Sequence, residues 1–264
     1  MEETQSVQVK RKSVDVIYLD EWMPRNVRNI KEKTGLKVLD PTGGVGFGAF
    51  GCVYLTDDPR WVVKVTRDMD EGPMAMKIVE LRGEKGGGTG FGPSKVLPGI
   101  VFFKNVFRAR AVEHHRKIFR PYVIIRENVS PVEEPYVRNV MGWYVDPRIS
   151  TEESHTALNL AYKWARKFDD HKDDPKKLKQ AILKYVDWLK VVREEFPYVG
   201  QDMLDLMDHD MVLQDVHQYN IGFTTVDWGA EYRAKQSAVI YDLGMTNADL
   251  STTGSGNSLH VKDL

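Results

Sequence analysis

The run Gly46-Phe-Gly-Ala-Phe-Gly51-Cys-Val53 constrains this chain more than any other stretch. Glycines at G-x-G-x-x-G spacing (Gly46, Gly48, Gly51) let backbone N–H groups approach an anion with no Cβ in the way. The residues after Gly51 separate two folds. A dinucleotide-binding turn ends a strand and opens a helix. Here Cys52-Val-Tyr-Leu55 is apolar, Thr56-Asp-Asp-Pro-Arg60 is turn chemistry and Trp61-Val-Val-Lys-Val65 is β-branched. The pattern predicts a hairpin whose tip lies over the phosphates of a nucleotide, with Phe50 at the tip as a shield against water. By strand alternation, Val53 faces the base and Cys52 points away as a packing residue.

Lys64 lies inside the apolar strand Val62-Val-Lys-Val65, where an unpaired ammonium would be costly. A phosphate-binding lysine held by a carboxylate from the next helix answers that cost. A helix is expected from Pro73 to about Lys85, with Gly86-Gly-Gly88 as its stop. Glu80 is the preferred partner because it is mid-helix; Glu84 and Glu71 are its rivals. Further strands are expected near Ile100–Phe107 and Tyr122–Arg126, whereas residues 1–40 give mixed signals.

The second half opens with helices. Ala157, Ala161, Trp164, Ala165 and Phe168 share one helical face, as do Leu178, Ile182, Tyr185, Leu189 and Val192. Asp173-Asp-Pro175 separates the two and offers an N-cap. A third, short helix is expected over Asp202–Met207, then short strands at Met211–Leu213, Ile221–Thr224 and Ala238–Tyr241. Between them, Asp215 and Asn220 stand five apart in a loop, and Asp242 ends a strand just before Gly244. Together they set one carboxylate near a nucleophile, and an amide and a second carboxylate where a hard cation takes oxygen ligands.

These motifs, in this order, resemble the protein-kinase-like superfamily over residues 40–246: G46-x-G-x-F-G51-x-V53, VVK64V, the helix with Glu80, D215-x-H-x-x-N220 and D242-L-G244. The resemblance implies an α+β, two-lobed fold. Residues 1–40 would be an extension, 41–130 a lobe of antiparallel sheet plus one helix, and 131–264 a reduced, mostly helical lobe. It further implies ATP and Mg²⁺. Gly46, Gly48, Phe50, Gly51 and Val53 would cover the nucleotide, and Lys64, held by Glu80, would bind its α/β-phosphates. The Glu127–Val129 hinge segment would contact adenine, Asp215 would take or orient the acceptor proton, and Asn220 and Asp242 would bind the metal. The implied activity is Ser/Thr protein phosphorylation.

Three departures open alternatives. His217 stands where Ser/Thr kinases carry lysine; the pattern is more like that of aminoglycoside and choline phosphotransferases and of some small bacteriophage-encoded protein kinases. A loop around Thr225–Gln236 is inserted between Asn220 and Asp242, and only 20 residues come after Gly244. A small-molecule phosphotransferase and a partner-blocking pseudokinase are therefore the competing readings.

Composition sets the remaining bounds. Of 264 residues 42% are hydrophobic, and 37 Lys plus Arg against 38 Asp plus Glu leave a net charge of −1, which excludes a disordered tail and a disulfide miniprotein. One cysteine forms no internal disulfide. The longest apolar stretch, Val96–Phe103, contains Pro98 and is far short of the roughly 18 residues of a membrane span. The expected setting is cytoplasmic, with a protein substrate and neither membrane nor nucleic acid as partner. Residues 201–264 hold 3 bases and 10 acids, a segment in which metal ligation is an expected use of carboxylates.

Overall fold

The computed structural model describes residues 14–47, 50–86, 90–114, 117–131, 157–217, 220–234 and 236–243. The chain is α+β. A five-stranded sheet has the order β1-β2-β3-β7-β4, built from β1 (Gly46–Phe47), β2 (Gly51–Leu55), β3 (Trp61–Thr66), β4 (Phe103–Arg108) and β7 (Tyr122–Glu127), and every pairing in it is antiparallel. A hairpin of β5 (Val112–His114) and β6 (Lys117–Phe119) lies between β4 and β7 in sequence. Beyond β7, β8 (Val129–Pro131) joins β9 (Ile221–Thr224) and β10 (Ala238–Ile240) in a second antiparallel sheet, ordered β10-β9-β8.

Strand alternation divides the large sheet between two cores. Cys52, Tyr54, Val63, Val65, Val123 and Ile125 face helix α1 (Val14–Thr34), which contributes Leu19, Trp22, Met23 and Ile30. The opposite face, including Ile124 and Val106, packs on α2 (Glu71–Gly86) and is continuous with the helical core. That core is formed by α3 (Ala157–Ala165), α5 (Pro175–Glu195) and α6 (Pro197–Met207), with short α4 (Lys167–His171) between α3 and α5. Asp174 caps α5 by accepting from the Lys177 N–H, and Pro175 takes the first turn, as the sequence predicts.

Several boundaries differ from expectation. Residues 14–34 form a helix despite Pro24, and its apolar stripe seals the outer sheet face. Helix α2 starts at Glu71, two residues before Pro73. Helix α6 starts at Pro197 rather than Asp202, because Pro197 suits a first turn. Met211 and Val212 are buried but belong to no strand. Leu97 and residues 99–101 are also buried outside the named strands. Ile100 forms a single parallel bridge to Ile240 of β10, and Arg82 of α2 satisfies further backbone groups by donating to the carbonyls of Val96, Leu97, Ile100 and Val101 at 2.8–3.2 Å. Among the described residues no helix is long and apolar enough to cross a membrane.

Candidate functional site

The β-ladders place Gly46, Val53, Lys64, Ile124 and Val106 in one row across all five strands, so these residues share a face. Val53 stands on that face, whereas Cys52 is fully buried against the α1 side. The exposed Phe50 sits beside the start of β2, and its carbonyl accepts the Arg67 N–H at 2.8 Å, which ties this end of the hairpin to the end of β3. Gly51 leaves room for the lysine: a Cβ there would stand 3.3 Å from Lys64 Cε and 3.0 Å from the Val65 carbonyl. Gly48 lies outside the described residues.

Lys64 is buried and bridges two carboxylates. Its Nζ is 2.5 Å from Glu71 Oε1 and 2.9 Å from Asp242 Oδ1. Burial alone would push the ammonium toward neutrality; Glu71 and Asp242 outweigh it and hold the pKa above the ordinary lysine value. Thr66 adds a side-chain hydrogen bond to Glu71.

The expectation that Glu80 holds Lys64 is corrected by this geometry. Glu71 occupies the first turn of α2, next to Gly72, where any Cβ would strike the Tyr122 ring at 2.1 Å. That close approach seats the start of the helix on β7, beside β3. Glu80 comes nine residues later, which at about 100° per residue is on the opposite side of the helix. It is exposed and lines an open cleft of about 350 Å³ with Met76, Val79, Gly83, Gly90, Phe91 and Val106. The side chain of the other rival, Glu84, lies outside the described residues.

The second cluster is assembled by the β9–β10 hairpin. Its register pairs Ile221 with Ile240, and the Tyr241 N–H donates to the Asn220 carbonyl at 3.0 Å. Asn220 therefore lies across from Tyr241, with Asp242 one residue beyond. Asn220 Nδ2 donates to the Asp215 backbone carbonyl at 2.6 Å and lies 3.4 Å from its carboxylate. Burial raises the Asp215 carboxyl above its usual value, and the charge of Asp242 adds to that; His217 and Arg166 oppose it. His217 Nε2 is 3.7 Å from Asp215 Oδ1.

Among the described residues no group of three or more His, Cys, Asp or Glu forms a metal cluster. The two residues expected to bind a metal, Asn220 and Asp242, can be tested on their own chemistry. The Asn220 nitrogen is committed to Asp215, so its Oδ1 remains as the ligand atom, and Asp242 is part-exposed. An amide oxygen and a carboxylate, with Asp215 near enough to feel the Asp242 charge, make an all-oxygen donor set that fits a hard divalent cation.

Two arginines near the site carry no signal in the sequence. Arg126 stands on the Lys64 side of β7, buried, with its guanidinium 5.2 Å from the Tyr241 ring centre. Burial lowers its pKa, and Asp242 and Glu71 counter that effect. Arg233, from the loop between β9 and β10, is buried in an ion pair with Glu127 and lies 4.2 Å over the Phe102 ring. Glu127 also accepts from the Thr224 hydroxyl, from Trp228 Nε1 at 2.9 Å and from the Phe102 N–H at 3.2 Å. Its own N–H donates to the Phe102 carbonyl. The Glu127 side chain is thus committed to joining the two sheets, while Val129 pairs with Thr224.

No protein-family model matches the chain, and no curated protein matches it.

Proposed function

We propose that this chain is an ATP- and Mg²⁺-dependent phosphotransferase that moves the γ-phosphate to a Ser or Thr hydroxyl of a protein. The observation that carries the reading is the Lys64–Asp242 contact at 2.9 Å, which joins the glycine-hairpin sheet to the strand end after the Asp215–Asn220 loop. Residues 178 apart in sequence meet there, and the ladder that holds Lys64 also holds Gly46 and Val53.

In this reading Gly46, Phe50 and Gly51 cover the triphosphate, Lys64 binds its α/β-phosphates, and Glu71 rather than Glu80 fixes the lysine. The base lies by Val53 and the Glu127–Val129 segment. Asn220 and Asp242 would hold Mg²⁺, which when bound neutralises phosphate charge. Asp215 orients the acceptor hydroxyl and takes its proton as the acceptor oxygen bonds to the γ-phosphorus and the bond to the β–γ bridging oxygen breaks, releasing ADP. Such transfer depends on positioning and charge neutralisation more than on covalent catalysis.

Incubation of the protein with γ-labelled Mg-ATP and a cell lysate tests this. Label on Ser or Thr of protein is the expected result. Label confined to a small hydroxylated metabolite or aminoglycoside would give the small-molecule alternative, which His217 favours by its place beside Asp215 and Asn220. Bound nucleotide with no transfer to either pool would leave a partner-binding scaffold.

A further inference from the structure

The junction between α3 and α4 brings a cation to the Asp215 loop. Arg166 is exposed, yet its guanidinium is held: Nη1 donates to the Tyr162 hydroxyl at 2.8 Å, and the group lies 5.6 Å from the Tyr162 ring centre. Tyr162 in turn stands edge-on to His217, ring centres 5.6 Å apart and planes at 86°. His217 lies 3.7 Å from the Asp215 carboxylate and 3.5 Å from the Asn220 amide nitrogen. Arg166, Tyr162, His217 and Asp215 thus form a continuous chain of contacts from helix to loop.

Among the described residues Arg166 is in no ion pair: Asp215 and Asp170 act on it through charge without direct contact. Nη1 alone of its five donors is used, so the fork that matches a carboxylate in two places remains open there. A tyrosine that pins an exposed arginine also removes part of the rotamer entropy that weakens surface ion pairs. Lys64 meets Asp242 from the sheet, whereas Arg166 approaches the Asp215 loop from the α3–α4 junction by way of Tyr162 and His217, so the two cations come to the site from different elements.

We propose that Arg166, positioned by Tyr162, is an acceptor-binding residue that recognises an Asp or Glu side chain flanking the hydroxyl placed at Asp215, so that the acceptor is a Ser or Thr in an acidic peptide segment. This rests on the phosphotransfer reading above and adds its substrate class.

The test uses the full chain and nine-residue Ser peptides in an Ala/Gly background, each with one Glu or one Gln at a position from three before to three after the serine. Wild type is compared with Arg166→Glu and Arg166→Lys for kcat/KM on each peptide, for the ATP KM, and for peptide binding by fluorescence anisotropy without nucleotide. At one or more positions wild type favours Glu over Gln by about fivefold, the size expected of a partly solvated ion pair. Arg166→Glu abolishes or inverts that ratio, Arg166→Lys keeps part of it, and the ATP KM stays unchanged in both. The same Glu-to-Gln ratio in wild type and Arg166→Glu would overturn the proposal, as would a raised ATP KM with the ratio untouched. If wild type transfers no phosphate to any peptide, anisotropy decides. A Glu preference lost in Arg166→Glu upholds the acidic-segment site and refutes the transfer; equal binding of Glu and Gln peptides refutes the site.

Discussion

Val53 stands directly across the β2–β3 ladder from Lys64, and Gly46 stands across β1–β2 from Val53. A glycine-rich hairpin and a buried lysine are thereby set on one face by register alone. A slip of one residue would move every one of these side chains to the α1 face. The relationship explains why Gly51, at the start of β2, tolerates so little: any side chain there would meet the Lys64 stem.

Gly51→Ala is therefore expected to destabilise the fold by about 1–3 kcal/mol, the usual range for overpacking. Its Cβ would meet the Val65 carbonyl at 3.0 Å and Lys64 Cε at 3.3 Å, and backbone yields less readily than a lysine stem. Urea denaturation measures the loss. On the proposed function the ATP KM rises as well, because the displaced lysine no longer sits between its carboxylates.

The choice between Glu71 and Glu80 gives a direct contrast. Glu71→Gln removes one of two carboxylates from a buried ammonium and is expected to cost about 3 kcal/mol or more. Glu80→Gln, on the exposed side of α2, is expected to stay within about 0.5 kcal/mol of wild type. Equal effects of the two substitutions in thermal or urea denaturation would contradict the assignment.

Lys64, Asp215, Asn220 and Asp242 are legible in the sequence because each breaks a local pattern: a charge inside an apolar strand, or polar groups between short strands. Glu71 is not, because its role depends on where α2 begins, and Pro73 at the third position of the helix suggests a later start. Helix α1 is obscured by Pro24, although Leu19, Trp22, Met23 and Ile30 recur at helical spacing. Nothing local announces the buried network of Glu127 and Arg233. The two lie 106 residues apart, and only the folded topology makes them neighbours.

That network carries its own prediction. Arg233→Met would strand the fully buried Glu127 carboxylate and is expected to lower stability by about 3–5 kcal/mol. Adding Glu127→Gln removes the stranded charge and is expected to recover part of the loss. Additive losses in a double-mutant cycle would contradict a direct pair.

Asp202 supplies a pH signature. Burial raises its carboxyl well above 3.8, while Arg82, the Gly99 N–H and Arg233 act in the opposite direction. Above pH 3.8 the unfolded chain releases this proton and the folded chain retains it, so the folded state binds more protons and stability falls as pH rises toward the folded pKa. Asp202→Asn, which still offers an oxygen to the Gly99 N–H, removes that dependence. The stability of Asp202→Asn relative to wild type is expected to increase from about pH 4.5 to about pH 7.5 in paired urea titrations. A difference that stays constant would contradict a raised carboxyl.

If the lysine row and the Asp215–Asn220–Asp242 cluster form one phosphotransfer site, single substitutions in the cluster must abolish transfer. The most direct measurement is transfer of label from γ-labelled Mg-ATP to protein by wild type, Asp215→Ala and Asp242→Asn, with nucleotide affinity recorded for all three. The expected result is label on protein with wild type, a loss of at least about a hundredfold in Asp215→Ala with ATP still bound, and loss of both metal-dependent binding and transfer in Asp242→Asn. Equal labelling by wild type and both variants, or none by a wild type that binds Mg-ATP, would contradict a single site of this kind.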